Sequence, residues 1–227
     1  MLSFVSRKAS FLAEEQWRVV PFRETGPSPV QALMSEAVAI PGILERMDKG
    51  GTKAAAEEVL HCFEVVLGRL DAWADDFHAS ALPSCPIFWV LPRGEDEREK
   101  IWFRDITAAN ALTHYWAFRV VCLQSIRQLR ATGPQTDVLE ETKRLSTRIC
   151  QSIEYLMQDK MKLFGPTSVA LPLRTAYETF QAGGDESSGE LQWCSEILAD
   201  LSSHGYGFVT FIAVPDPSVM ESQGSHW

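Results

Sequence analysis

Paired cysteines are missing from this sequence. Its 227 residues include five cysteines, which are scattered at positions 62, 85, 122, 150 and 194 without a C-x-x-C pair. An odd, scattered set argues against a disulfide framework, and a structural zinc site normally has at least two ligands close together in sequence. We therefore expect reduced thiols, an intracellular compartment and no bound metal.

Long apolar runs and basic clusters are also lacking. The longest apolar runs, such as residues 208–215, are far too short to span a bilayer. Arg7 and Lys8 follow the first apolar residues, whereas a secretory signal has the reverse order. The 21 basic and 30 acidic residues give a formal charge of −9. We expect no membrane contact and no direct binding of nucleic acid, because displacing counterions from phosphates requires a basic surface.

The signatures of easily recognised enzyme classes are absent as well. The sequence has no P-loop, no G-x-G-x-x-G turn and no G-x-S-x-G elbow. Glu58 and His61 have the E-x-x-H spacing of di-iron bundles, but no second E-x-x-H accompanies them, which favours a polar surface pair. Cys122 and Cys150 have no recognisable base partner, which favours packing thiols over nucleophiles. No catalytic residue and no cofactor is predicted, and enzyme activity is left open.

Helical periodicity, by contrast, is plentiful. Apolar residues recur at alternating spacings of four and three from Val59 to Phe77, which predicts a helix over about residues 53–79. Hydrophobic residues make up 45% of the chain and charged residues 22%, which are ordinary globular values. The fold prediction is all-α, with a single multi-helix, bundle-like domain over residues 1–227.

Other segments support this fold. Residues 28–31 have the pattern of a capping box with proline in the first turn, which predicts a helix start. A helix over 102–129 is expected at the centre of the fold, because residues 111–123 are apolar almost all round. The Pro-rich segment 81–100 contains an extended run, 87–90, that either pairs as a short β element or packs over the bundle as a loop.

Residues 149–180 are the most distinctive stretch. They contain the end of a helix predicted over about 137–158 and the start of a second helix. Between the two, Phe164, Gly165 and Pro166 are expected to turn the chain, because glycine permits positive φ and proline cannot continue a helix. Residues 181–189 are predicted to form a loop.

Five side chains are candidates for contact with a ligand: His114, Tyr115, Trp116, Tyr155 and Arg174. His114 is interpreted either as a hydrogen-bonded core imidazole or as a ligand contact. Arg174 suits either an anionic ligand or a structural partner. The aromatic residues are either core or the walls of a pocket for a hydrophobic small molecule.

Three groups of residues together resemble a known family. They are residues 17–22 followed by 40–45; residues 86–89 with 114–116; and the runs ICQSIEYLMQ, FGP and LPLRTAYETF within residues 149–180. Their order and spacing are similar to the C-terminal regulatory domain of fungal-specific zinc-cluster transcription factors. The similar region covers about residues 17–208, and we expect flexible ends at 1–16 and 215–227.

The resemblance implies an all-helical domain that regulates transcription through protein partners, with a homodimer as one such arrangement. The six closely spaced cysteines and the basic segment of that family's zinc cluster do not occur in this sequence. The expected function is therefore a regulatory and interaction domain without its own DNA-binding module, located in the nucleus if it is a regulator and in the cytoplasm otherwise. The chain is either encoded alone or part of a longer regulator. The alternative is a small-molecule-binding protein or enzyme of fungal secondary metabolism built on the same scaffold.

Overall fold

Helices make up most of the structure, as the periodicity predicts. The computed structural model describes residues 2–82, 84–92, 98–130, 136–162 and 164–209. In chain order the elements are α1 (Leu2–Ser6), α2 (Glu15–Val19), α3 (Pro29–Ala37), α4 (Ile40–Asp48), α5 (Lys53–Ala79), β1 (Phe88–Leu91), β2 (Lys100–Phe103), α6 (Ile106–Leu129), α7 (Thr136–Gln151), α8 (Ile153–Leu156), α9 (Phe164–Ser168), α10 (Ala170–Ala182) and α11 (Ser188–Ser203). The fold class is therefore all-α with one small β-hairpin.

The bounds of α5 agree with the predicted helix over residues 53–79. The Oγ of Thr52 caps its start by accepting a hydrogen bond from the backbone N–H of Ala55 at 3.3 Å. The apolar residues that recur from Val59 to Phe77 are buried, and Trp73 is one of them. The indole N–H of Trp73 donates to the carbonyl of Pro29 at 3.1 Å, which fixes α5 to the start of α3.

The start of α3 has the predicted capping box. The N–H of Gln31 donates to the Oγ of Ser28 at 3.4 Å, and the N–H of Ser28 donates to the Oε1 of Gln31 at 2.8 Å. This reciprocal pair satisfies two backbone donors that have no partner inside the helix. The sequence pattern at residues 28–31 is thereby confirmed.

The central position of α6 is also confirmed. Its buried residues lie on nearly every face, and α5, α7 and α10 pack around it. The predicted start at residue 102 is wrong, because α6 begins at Ile106. Asp105 ends the preceding extended segment and caps the helix, since its Oδ1 accepts a hydrogen bond from the N–H of Ala108 at 2.8 Å.

A β-hairpin occupies the segment expected to be extended. Strands β1 and β2 are antiparallel, with Phe88 opposite Phe103 and Trp89 opposite Trp102. Successive residues of β2 alternate between half-buried and buried positions, the two-residue period of a strand. The Pro-rich segment thus contributes a β pairing, which explains why the aromatic residues 102 and 103 are not helical.

The helix predicted over about 137–158 is divided. α7 already includes Thr136, so Asp137 lies in its first turn, and it ends at Gln151. The hydroxyl of Ser152 donates to the carbonyl of Arg148 at 2.7 Å, a side-chain bond of the kind that competes with the helical ladder. α8 then begins at Ile153.

Gly165 is required for a reason other than the predicted positive φ. It lies in the short helix α9, outside the set of positive-φ residues. A Cβ at this position would lie 1.9 Å from the carbonyl oxygen of Leu156 and 2.9 Å from the Cβ of Met161. The glycine therefore allows α9 to pack closely over the end of α8.

Short helical turns occur in the segment 181–189 and near the chain start. In 181–189, Gly184–Ser187 forms a 3-10 turn, and Lys143 of α7 bonds both the carbonyl of Glu186 and the carboxylate of Glu190, each at 2.8 Å. At the chain start, the ring of Phe4 stacks on Phe118 at 5.0 Å. Residues 2–16, predicted to be a flexible end, thus contain helical turns and contact α6, whereas 215–227 lie outside the described residues.

Candidate functional site

An aromatic cluster fills the space between the hairpin and α6. The ring of Phe103 lies 5.3 Å from that of Tyr155 and 6.3 Å from that of Trp116. Phe88 meets Trp116 edge to face at 6.2 Å. Tyr155 and Trp116 are buried, and burial raises the pKa of Tyr155. These two candidates pack the hairpin against the helices.

A charged cleft of about 420 Å³ lies where α5, α6 and α7 meet. The hydroxyl of Tyr115 donates to the Oδ1 of Asp71 at 3.0 Å, and the guanidinium of Arg119 binds the same oxygen. The Nε of Arg119 also lies 3.5 Å from the Oε1 of Glu141. Burial and the charge of Asp71 raise the pKa of Tyr115 to about 12, so its hydroxyl stays protonated and donates.

Glu141 and Arg144 continue this network along α7. The Nε and Nη2 of Arg144 donate to the two carboxylate oxygens of Glu141 at 2.7 and 2.8 Å. This bidentate bond lowers the pKa of Glu141 and raises that of Arg144. The charges of both residues are therefore compensated within the cleft.

Arg148 differs from these neighbours. Its guanidinium carbon lies 5.9 Å from the ring centroid of Phe88 and 5.8 Å from that of Trp116. Burial, followed by the like charge of Arg144, lowers the pKa of Arg148. Its cation thus lies against aromatic faces at the cleft, next to another arginine.

His114 is packed in the core. It is buried, its ring lies 5.9 Å from that of Phe118, and its Nδ1 is 2.9 Å from the carbonyl oxygen of Asn110. Burial lowers the pKa of His114 to about 4, although the hydrogen bond to Asn110 acts in the opposite direction. The neutral imidazole is therefore part of the core at neutral pH.

Arg174 lies elsewhere, on α10. Its Nε donates to the Oε1 of Glu178 at 2.8 Å, and it lines a small cavity of about 80 Å³ together with Phe4 and Arg7. Of the five candidates, the structure therefore brings Tyr115 and Trp116 to one cleft and places Trp116 and Tyr155 in one aromatic cluster, whereas His114 and Arg174 lie elsewhere.

A second notable feature is an apolar surface near the chain start. Five large apolar side chains are 46% to 62% exposed there, and we refer to them as the N-terminal apolar surface: Phe11, Leu12, Trp17, Val19 and Val20. The rings of Phe11 and Trp17 lie edge to face at 5.5 Å. A groove of about 980 Å³ continues from Val19 to Trp73 of α5.

Sequence reasoning does not select Asp71, Arg119 or Arg148. Each lies on a helix whose apolar residues dominate the pattern, and a charged residue there is typical of a solvated face. One signal does exist for Arg148, because a basic residue three positions after Leu145 must lie beside the buried stripe of α7.

The E-x-x-H pair lies on the surface of α5. Glu58 and His61 are exposed, and the Oε2 of Glu58 lies 3.9 Å from the Nη2 of Arg46. In the described ranges, no group of three or more His, Cys, Asp or Glu side chains is arranged to hold a metal ion. Among the helices of the same ranges, none is both long and apolar enough to cross a membrane.

The fold and the two surface features define an all-helical protein with a charged interhelical cleft and an exposed apolar surface. Comparisons of the chain with protein-family models, with curated proteins and with solved structures find no match.

Proposed function

We propose that this chain is a helical regulatory and interaction domain that binds a protein partner through its N-terminal apolar surface. The observation that carries the proposal is the concentration of five exposed, large apolar side chains within residues 11–20. Single exposed apolar residues are ordinary, but a contiguous group of them is typical of an interaction site.

The composition of this surface supports a protein as the partner. Trp17 and Phe11 are rigid aromatic side chains, and tryptophan is among the residues most enriched at the energetic centres of protein interfaces. Charged residues of the adjoining groove, among them Glu15, Arg23 and Arg69, provide a polar rim. An apolar centre with a polar rim is the usual arrangement of a specific protein interface.

The regulatory part of the proposal has separate support. It follows from the resemblance to the regulatory domain of fungal zinc-cluster transcription factors, and a nuclear, transcription-related role depends on that resemblance alone. The formal charge of −9 supports action through proteins rather than direct contact with DNA. The packing of His114 and Tyr155 in the interior favours an interaction domain over an enzyme with an interior aromatic pocket.

Site-specific photo-cross-linking tests the proposal. A benzophenone amino acid replaces Trp17 in one variant and Leu139 in the other, because Leu139 on α7 is an apolar residue with 46% exposure outside the N-terminal apolar surface. Both variants are irradiated in extract from the cells that produce the protein. We expect a discrete protein adduct from position 17 and none from position 139.

The identity of the adduct distinguishes the two kinds of partner. A second copy of this chain would identify a homodimer through the surface, and a different protein would identify a heterologous complex. Equal labelling from both positions, or no discrete adduct from position 17, would contradict the proposal.

A further inference from the structure

We propose that the cleft between α5, α6 and α7 binds a monoanionic carboxylate that carries an apolar or aromatic group, with Arg148 as its anchor. The site is distinct from the N-terminal apolar surface, because none of residues 11–20 lines the cleft. The lining residues are 71, 74, 75, 78, 115, 116, 119, 141, 144, 145 and 148. The inference therefore does not depend on the proposed function.

Arg148 carries a positive charge that none of the described carboxylates binds directly, although the charge of Glu141 acts on it from a distance. Within the residues that the structure describes, its guanidinium forms no ion pair and donates no hydrogen bond, and its contacts are with the rings of Phe88 and Trp116. The described residues therefore accept no hydrogen bond from its five N–H donors. A half-buried guanidinium in this state favours an oxyanion that can supply the missing acceptors.

The neighbouring arginines do not compete for such a ligand. Both oxygens of Glu141 are bound by Arg144, and Arg119 is bound to Asp71. Their carboxylate partners are bound to these two arginines, and neither carboxylate forms an ion pair with Arg148. Arg148 is therefore the arginine of the cleft whose guanidinium is available to bind a ligand.

The two aromatic rings also hold the arginine in position. A guanidinium packed against Phe88 and Trp116 has fewer accessible orientations than a free side chain, so less entropy is lost when a ligand binds. Ala74 and Leu145 supply apolar walls to the same cleft. A carboxylate with an attached ring or short apolar chain would therefore gain binding free energy from these apolar contacts as well as from its charge.

The lining is balanced in formal charge, and the lack of an ion pair at Arg148 is what favours a ligand with a single negative charge. Three arginines line the cleft, and three carboxylates line it as well, namely Asp71, Asp75 and Glu141. His78 and Tyr115 complete the titratable residues of the lining. The guanidinium of Arg148 can bind one carboxylate, whereas a dianionic phosphate would place an additional negative charge near Asp75 and Glu141.

Titration of the full chain with benzoate tests the inference, with the indole N–H signal of Trp116 as the readout. We expect saturable binding, no binding of the uncharged analogue benzamide, and weaker binding of inorganic phosphate. Arg148→Met should weaken benzoate binding at least about tenfold, because it removes the charged fork and keeps an apolar stem. Arg127→Met is the matched control, since Arg127 is a half-buried arginine that lines a different cleft.

A second measurement uses the unaltered protein and covers the case in which Arg148→Met fails to fold. Benzoate should protect Arg148, but not Arg127, from modification by phenylglyoxal, as measured by peptide mass spectrometry. The inference is overturned if benzoate does not saturate, if the folded Arg148→Met protein binds like the wild type, or if benzoate leaves modification of Arg148 unchanged. Phosphate binding as tight as that of benzoate would overturn the single-charge assignment.

Discussion

Replacing Gly165 by alanine should destabilise the fold strongly. The added Cβ would lie 1.9 Å from the carbonyl oxygen of Leu156, whereas real Cβ contacts essentially never fall below 3.0 Å, so the two backbones must separate by about 1 Å. The obstacle is a main-chain atom, and no rotamer change can relieve the contact. We expect a loss at the upper end of the range for overpacking, about 3 kcal/mol in the free energy of unfolding.

Gly68→Ala is the matched control. Gly68 lies on an exposed position of α5, and a Cβ there would have nothing within 4 Å. Because glycine in a helix interior is less favourable than alanine, this variant should gain about 0.5 to 1 kcal/mol. Urea unfolding followed by circular dichroism compares both variants with the wild type. Similar changes for the two variants would refute the close packing of α9 over α8.

Two further predictions concern buried titratable groups. Between pH 7 and pH 5 the free energy of unfolding should fall by about 2 kcal/mol through His114, because the unfolded imidazole (pKa 6.5) takes up a proton that the folded one, with a pKa of about 4, does not. In the native protein, a thiol reagent at neutral pH should label the half-buried Cys62 and Cys85 before the three buried cysteines. Burial raises the pKa of one of these, Cys122, to about 12.

Each of these predictions has a control. His114→Gln should remove the fall in stability between pH 7 and pH 5. The carboxylates with lowered pKa titrate below this window, so they do not contribute to the fall. An unchanged pH dependence in this variant would show that His114 is not the group responsible. For the thiols, denaturation should make all five cysteines react, and rapid labelling of Cys122 in the native protein would contradict its burial.

The sequence predicts those parts of the fold that depend on local pattern. The apolar residues from Val59 to Phe77 specify a long helix because their period is repeated over about five turns, and the capping box at residues 28–31 is formed by neighbours in the chain. Boundaries set by distant partners are not predictable in this way. Trp102 is apolar enough for the central helix, and only its pairing with Trp89 makes it part of a strand.

The candidate site is less predictable than the fold. Tyr115 and Trp116 stand out in the sequence as aromatic residues of a buried helix, and both line the cleft. Their polar partners come from other helices, since Asp71 lies 44 residues before Tyr115. The importance of Arg148 depends on its having no ion pair within the described residues, although Asp75 and Glu141 line the same cleft, and no spacing in the sequence encodes this arrangement.

The central claim is that the N-terminal apolar surface binds a protein partner. Its most direct test is the affinity of the cross-linked partner, once purified, for Trp17→Ala and for Leu139→Ala, measured by calorimetry on the full chain. An interface tryptophan at an energetic centre contributes about 2 kcal/mol or more, so we predict that Trp17→Ala weakens the affinity about thirtyfold and that Leu139→Ala leaves it unchanged. Equal affinities of the two variants for the partner would contradict the claim.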